Sequence, residues 1–173
     1  MNRKELIRQL DLDLVNNKGL LSHGEEQRYI DLVVEGYETS DAEGGDEEPL
    51  PLELLKLHKK LQLLIRDNST EVNAFIIGGK REWIDKHDRS NRRDAIDALA
   101  AAGETTVPFK GITLPITEAS MALTAIEKYA ALCAEKTEEH AAVIDALQTA
   151  EEVEAYDITA GYPRVPNFDE REE

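Results

Sequence analysis

Residues 38–49 are the feature that most limits how this chain can fold. This stretch, ETSDAEGGDEEP, holds six acidic residues, two glycines and a proline, and it has no large apolar side chain. Such a run cannot bury enough apolar surface to offset the entropy that is lost when it becomes ordered. We therefore predict a flexible acidic linker here, which separates a helical N-terminal arm, residues 1–37, from the rest of the chain.

The charge balance limits the partners of the chain. Of its 173 residues, 20 are basic and 36 are acidic, which gives a net charge of −16. Nucleic acids and anionic lipids are bound by Lys and Arg patches, so we expect neither a nucleic-acid partner nor a membrane partner. The single cysteine, Cys133, excludes an internal disulfide and a cysteine-based zinc cluster. The sequence shows no signal-peptide pattern, so we expect synthesis in the cytoplasm.

Two helices are predicted in the arm. Leucines recur at every fourth position from residue 6 to residue 14, which indicates an amphipathic helix. Ser22 and Glu25 have the spacing of a capping box that starts a second helix. Gly36 can adopt the left-handed backbone angles that end a helix, so we predict that the second helix ends there.

Residues 50–72 are predicted to form a leucine-rich helix. Four leucines at spacings of three, four and three residues match the a and d positions of a coiled coil. They are Leu54, Leu57, Leu61 and Leu64. The pattern lasts less than two heptads, whereas three or four indicate a coiled coil. Two interpretations stay open: a helix packed within its own domain, or a surface for self-association or for docking on a partner.

A domain with both helices and strands is predicted over residues 73–168. In its first hairpin, at about 74–84, the pair Gly78-Gly79 separates two β-prone runs, as in a two-residue hairpin turn. The second hairpin, at about 106–116, turns at Lys110-Gly111. This turn aligns two pairs of apolar residues on one face: Val107 with Leu114, and Phe109 with Ile112.

The helices of this region are predicted from their capping residues. We place helix starts at Ser90, at Thr117 and at Thr137. Thr149 and Glu152 have capping-box spacing and start one more short helix. The predicted fold class is therefore α+β and predominantly helical, with two short hairpins, a helical N-terminal arm, and an acidic tail at residues 169–173.

The stretch EEVEAYDITAGYP, residues 151–163, ends the last predicted helix with aromatic and turn residues. We interpret it as a structural staple that folds the C-terminal tail back onto the helices, because glycine permits unusual backbone angles and proline prevents helical continuation. The staple consists of Tyr156, Asp157, Gly161, Tyr162 and Pro163. The alternative is a ligand site built from the tyrosine and the aspartate.

The sequence predicts no catalytic residue, no cofactor site and no metal site. The four histidines lie far apart and lack the spacing of a zinc-binding helix. One cluster could serve metal binding or acid–base chemistry: Asp85, His87, Asp88 and Asp94. Because the cluster precedes a predicted helix, capping and the helix dipole also explain its acids. We therefore predict that the chain is not an enzyme.

Three segments of residues 75–168 together resemble a domain of unknown function that recurs in bacteriophage and prophage tail-module proteins. They are WIDKHDRSNRRDAIDAL, TVPFKGITLPIT and LQTAEEVEAYDITAGYP. The resemblance implies a non-enzymatic virion component: a small tail, baseplate or fibre protein, or an assembly factor for one. It also implies other phage structural proteins as partners, a possible homo-oligomer, and a location in the virion tail. The alternative function is an acidic DNA mimic that inhibits a host DNA-binding protein, which the net charge alone suggests.

Overall fold

The computed structural model describes residues 2–40 and 49–170. These residues form six helices and two antiparallel hairpins, which confirms the predicted α+β, mostly helical fold. The elements in chain order are α1 (Arg3–Asn16), α2 (His23–Ser40), α3 (Leu52–Asp67), β1 (Phe75–Ile77), β2 (Lys80–Glu82), α4 (Lys86–Ala101), β3 (Thr106–Phe109), β4 (Ile112–Pro115), α5 (Ile116–Ala146) and α6 (Ala150–Ala155). Most of the predicted acidic linker, residues 41–48, lies outside the described residues, as do residues 171–173 of the predicted tail.

Contacts divide the chain into two compact units. Unit 1 comprises Met1–Arg66 and Thr137–Ala160, and unit 2 comprises Asp67–Lys136 and Gly161–Glu173. The N-terminal helices therefore group with the end of α5 and with α6, and this division differs from the predicted boundaries. Whether the predicted arm, leucine-rich helix and C-terminal domain fold independently stays a prediction.

The core of unit 1 is built from apolar faces of α1, α2 and α3. Its buried members are Ile7, Leu10, Leu14, Leu21, Tyr29, Leu32, Val33, Leu54, Leu57 and Leu61. Fully burying a side chain of this size contributes about 1.5–3 kcal/mol relative to leaving it in water. This core is therefore the main source of stability for the three helices.

The predicted helix end at Gly36 is wrong, because α2 continues to Ser40. Gly36 lies inside the helix and is buried against α1. A Cβ atom at this position would lie 3.0 Å from Cδ1 of Ile7. The glycine is therefore explained by a close helix–helix approach rather than by a C-terminal cap. The capping box of Ser22 and Glu25 is confirmed, since the amide of Glu25 donates to the Ser22 hydroxyl and the amide of Ser22 donates to the Glu25 carboxylate.

Two of the predicted helix starts are wrong, and a third is displaced, because α5 begins at Ile116 and Thr117 lies inside it. The helix α4 begins at Lys86 with Asp85 as its N-cap, and Ser90 lies inside it. The predicted start at Thr137 does not exist, because α5 runs without interruption and buries this residue. The sequence around it contains no glycine or proline that would end the preceding helix. The capping box of Thr149 and Glu152 at the start of α6 is confirmed.

Both hairpins have the predicted register. Ile77 pairs with Lys80 across the Gly78-Gly79 turn, and Phe109 pairs with Ile112 across Lys110-Gly111. All four turn residues have positive φ angles, as a two-residue hairpin turn with the twist of the strands requires. The hairpins and α5 enclose the core of unit 2: Phe75, Ile77, Ile84, Ile96, Val107, Phe109, Ala119, Ala122, Leu123 and Ile126.

Candidate functional site

The four candidate leucines of α3 lie on the core side of unit 1. Leu54 and Leu61 are fully buried, Leu57 is nearly so, and Leu64 is half-buried against the same core. Their spacing therefore reflects packing of α3 against α1 and α2. A partner could contact Leu54, Leu57 and Leu61 only if the core of unit 1 opened.

The first part of the predicted staple forms a hydrogen-bonded group within unit 1. The hydroxyl of Tyr156 lies 2.6 Å from Nδ1 of His140, and the two rings meet edge to face. Nε2 of His140 lies 2.9 Å from the carbonyl oxygen of Ala160. A carbonyl oxygen only accepts, so we assign the ring proton to Nε2 and let the tyrosine hydroxyl donate to Nδ1. His140 is buried, and it therefore joins α5 to the segment after α6.

Asp157 closes a tight local turn. Its carboxylate accepts hydrogen bonds from both the amide and the hydroxyl of Thr159, at 2.8 and 2.6 Å. Hydrogen bonding from the Thr159 hydroxyl, and then from its amide, lowers the pKa of Asp157. The carboxylate thus has a structural role in the turn, and these contacts describe no tyrosine–aspartate ligand site.

The second part of the predicted staple belongs to unit 2. Gly161 has a φ of +76°, and a Cβ atom there would lie 2.7 Å from Cε of Lys136. Tyr162 packs with Val72, Tyr129 and Cys133, and the half-buried Pro163 follows it. Burial raises the pKa of the Cys133 thiol, which favours the unreactive neutral form.

The acidic cluster before α4 is used for capping. Asp85 accepts a hydrogen bond from the amide of Asp88 at 2.8 Å, and His87 and Asp94 point outward on the exposed side of the helix. Over residues 2–40 and 49–170, no three His, Cys, Asp or Glu side chains come together as possible ligands of a metal ion. The contact that the structure shows at this cluster is therefore helix capping by Asp85.

Two arginines of α4 form packing and ion-pair contacts within unit 2. Arg89 is buried, donates to the carbonyl oxygen of Ile84 at 2.7 Å, and lies 5.2 Å from the centre of the Trp83 ring. Arg93 forms an ion pair with Glu127 at 2.9 Å. Both the stem and the charge of Arg89 are therefore used inside unit 2.

An aspartate–histidine pair in unit 1 was missed by the sequence reading. Nε2 of His58 lies 3.0 Å from Oδ2 of Asp13, and the His58 ring meets the edge of Tyr29. Burial raises the pKa of Tyr29, and its hydroxyl donates to the Leu10 carbonyl. The two paired residues are 45 positions apart, so no local spacing could have revealed them. The described residues that line the adjacent groove include no serine, threonine or cysteine.

An apolar groove opens on the surface of unit 2, and we call it the hairpin groove. It has a volume of about 330 Å³. Its walls come from β1, β4, the first turns of α5 and the C-terminal segment. The lining residues are Ile77, Ile112, Leu114, Glu118, Met121, Ala122, Ala125, Phe168 and Asp169. Two of these are acidic, and none of the described residues that line the groove is basic.

Met121 is the most exposed apolar member of the hairpin groove. Its side chain is 72% exposed, although it lies on a helix whose inner face is fully buried one residue further along, at Ala122. The flexible, polarizable methionine side chain is common at surfaces that bind other proteins.

No known protein family, curated protein or solved structure matches this chain. The resemblance to phage tail-module proteins therefore stays a prediction. Among the described helices, none combines the length and the hydropathy that a membrane crossing requires.

Proposed function

We propose that this chain is a non-enzymatic protein that acts by binding another protein. Its biological setting would be a phage particle, as a small tail, baseplate or fibre component or as an assembly factor for one. The hairpin groove is the observation that supports the binding role. The phage setting is supported by the sequence resemblance alone.

The groove favours a protein partner because of its chemistry. Its apolar walls are exposed to water, and covering them contributes roughly 25 cal/mol for each Å² of apolar surface that is buried. Exposed apolar surface rimmed by polar groups is typical of interaction sites. Among the described residues that line the groove, the titratable groups are the carboxylates of Glu118 and Asp169, and none is a serine, threonine, cysteine or histidine.

The charge at the rim indicates which partner segment fits. Glu118 is exposed and has no basic neighbour among the residues that line the groove, and Asp169 adds a second carboxylate. A segment with one or two large apolar side chains, flanked by lysine or arginine, complements both properties. We therefore propose such a segment of another phage structural protein as the occupant.

A homo-oligomer through α3 is less compatible with the described contacts. Leu54, Leu57 and Leu61 would have to leave the core of unit 1 to meet a second copy. The proposal therefore assigns partner binding to unit 2 and leaves the leucines of α3 to intramolecular packing.

The experiment is co-sedimentation of the purified chain with purified phage tail particles at low and at high salt. We expect salt-resistant binding that is lost in Met121→Asp and kept in Leu132→Asp. Leu132 is a matched control, because it also lies on α5, is 42% exposed and is outside the groove.

Other outcomes would contradict the proposal. Equal loss in both variants would mean that the groove is not the binding surface. Absence of binding to particles, together with competition against DNA for a nuclease or repressor, would favour the DNA-mimic alternative.

A further inference from the structure

The C-terminal segment of unit 2 lies along β1 as an added strand. The amide of Ile76 donates to the carbonyl oxygen of Pro166 at 2.8 Å, and the amide of Phe168 donates to the carbonyl oxygen of Ile76 at 2.9 Å. These two bonds form a parallel bridge between Ile76 and Asn167. The outer edge of β1 therefore binds an extended segment through its backbone, as in recognition by strand addition.

The end of this segment is held by the turn of the first hairpin. The amides of Gly78 and Gly79 each donate to the carboxylate of Asp169, both at 2.7 Å. Successive amides in a turn with positive φ angles converge on one point and form an anion-binding concavity. The turn thus provides a ready-made receptor for a carboxylate.

The site has supports other than the segment that fills it. The Gly78-Gly79 turn is fixed by the register of β1 with β2. Phe75, which meets the ring of Phe168 edge to face with ring centres 6.0 Å apart, is fully buried in the core. A site that the hairpin and the core hold in place would stay formed if the segment moved away.

We infer that the outer edge of β1 and the Gly78-Gly79 turn form a recognition site for an extended segment in which an aromatic residue is followed by an aspartate. The chain fills this site with its own Phe168-Asp169, and a second protein that carries the same pair can replace it. The backbone edge sets the direction of the bound segment, Phe75 receives the aromatic ring, and the turn receives the carboxylate. The site shares Phe168 and Asp169 with the hairpin groove, but the inference rests on the backbone edge of β1 and the turn amides and not on the proposed function.

The chain's own segment competes with any external one. It is joined to the site by the chain itself, which gives it an effective concentration in the millimolar range. An external segment therefore binds weakly to the wild-type chain and better when the internal contacts are weakened. Charge-assisted hydrogen bonds are the strongest of these contacts, so the Asp169 carboxylate is the group to change.

The experiment uses the full chain and a fluorescent peptide with the sequence of residues 164–170, RVPNFDE. In the Asp169→Asn chain, which keeps the side-chain shape, we expect the peptide to bind at least about tenfold tighter than it binds to the wild-type chain. A peptide with asparagine in place of the aspartate is the matched control, and we expect it to bind neither chain. Phe168→Leu is a second chain variant that weakens the internal segment without touching the carboxylate.

The location of binding is read from the amide signals of the two turn glycines in an NMR titration. In the Asp169→Asn chain these signals should move toward their wild-type positions as the peptide is added. Failure of the peptide to bind either folded variant would overturn the inference. Equal binding of the aspartate and asparagine peptides, or binding that leaves the Gly78 and Gly79 signals unchanged, would overturn it as well.

Discussion

In unit 1 the helices α1, α2 and α3 bury their leucines in a shared core. In unit 2 the hairpin strands and α5 leave apolar side chains exposed along the hairpin groove. Leu54 and Leu61 are fully buried, but Met121 is 72% exposed. Both sets are apolar residues at helical spacing, so the sequence pattern alone does not separate them. This difference shows that leucines at helical spacing need no external partner when three helices bury them against one another. Met121, in contrast, is an apolar residue that the described residues of unit 2 leave exposed.

The largest expected effect on stability concerns the core of unit 1. Leu61→Ala removes a fully buried side chain from the core of unit 1. We expect the free energy of unfolding to fall by about 2–5 kcal/mol, because the change loses buried apolar surface and leaves a cavity. Urea unfolding monitored by circular dichroism measures the loss.

The control for this variant is Leu12→Ala in α1, where the side chain is 46% exposed. We expect Leu12→Ala to change the free energy of unfolding by no more than about 0.5 kcal/mol. A Leu61→Ala chain with wild-type stability but reduced self-association would show that α3 serves an interface instead.

The next effect tests the hydrogen-bonded part of the staple. Tyr156→Phe removes the hydroxyl that donates to Nδ1 of the buried His140. We expect a loss of about 1–2 kcal/mol in the free energy of unfolding, because a buried acceptor loses a partner. Tyr156→Ala should cost more, since the ring contact with His140 is lost too. A variant that kept its melting temperature but lost binding to a ligand would instead favour the tyrosine–aspartate site.

Tyr37→Phe is a matched control for the hydroxyl. Tyr37 is half-buried at the edge of the same unit, and its hydroxyl has no hydrogen-bond partner in the part of the chain that the structure describes. We expect the free energy of unfolding of this variant to lie within about 0.5 kcal/mol of the wild-type value.

A smaller effect concerns the ion-pair group of unit 1 and its pH dependence. Lys60 lies 3.0 Å from Glu25 and 2.6 Å from Asp145. Burial opposes its charge, but hydrogen bonds to Asp145 and Glu25 outweigh burial and raise the pKa of Lys60. The hydrogen bond from the Ser22 hydroxyl is the main cause that lowers the pKa of Glu25.

The direction of the pH effect follows from the lowered pKa of Glu25. A carboxyl with a lowered pKa stabilises the folded state above its unfolded pKa of about 4.3, and this contribution is lost as the pH falls through its folded pKa. Glu25→Gln should therefore be less stable than the wild type at pH 6, by less than about 1 kcal/mol because the group is partly exposed. The gap should narrow on titration toward pH 3, which denaturation curves at the two pH values measure. A gap that widened toward acid would contradict the assignment.

The smallest expected effect on stability concerns Met121 in the hairpin groove. Met121→Ala should change the free energy of unfolding by no more than about 0.5 kcal/mol, because its side chain is mostly in water already. Thermal unfolding of Met121→Ala and Leu61→Ala, measured side by side, compares the two losses of stability directly. A loss above about 2 kcal/mol would mean that Met121 is covered in solution.

Local turn and capping chemistry made the hairpins and α6 predictable from the sequence. Gly78-Gly79 and Lys110-Gly111 specify turns through their own backbone preferences, and Thr149 with Glu152 specifies a helix start within four residues. The position of α4 was less predictable, because Asp85 and Ser90 are both good N-caps and only the contact with the Asp88 amide decides between them.

Tertiary contacts decided what the sequence could not. Gly36 fits a helix end by local preference, but its approach to Ile7 places it inside α2. Asp169 was predicted to lie in an acidic tail, yet it binds the amide of Gly78, 91 positions away. Neither the hairpin groove nor the edge of β1 leaves a periodic signal in the sequence, since both combine residues that are distant along the chain.

Photo-cross-linking from position 121 tests the account most directly. A photoreactive phenylalanine derivative is placed at Met121 in the full chain, and at Leu132 in a matched chain, and both are irradiated with purified tail particles. The account predicts one cross-linked tail protein at position 121, identified by mass spectrometry, and none at position 132. The same products from both positions, or no product from position 121, would contradict the claim that the hairpin groove binds a partner protein.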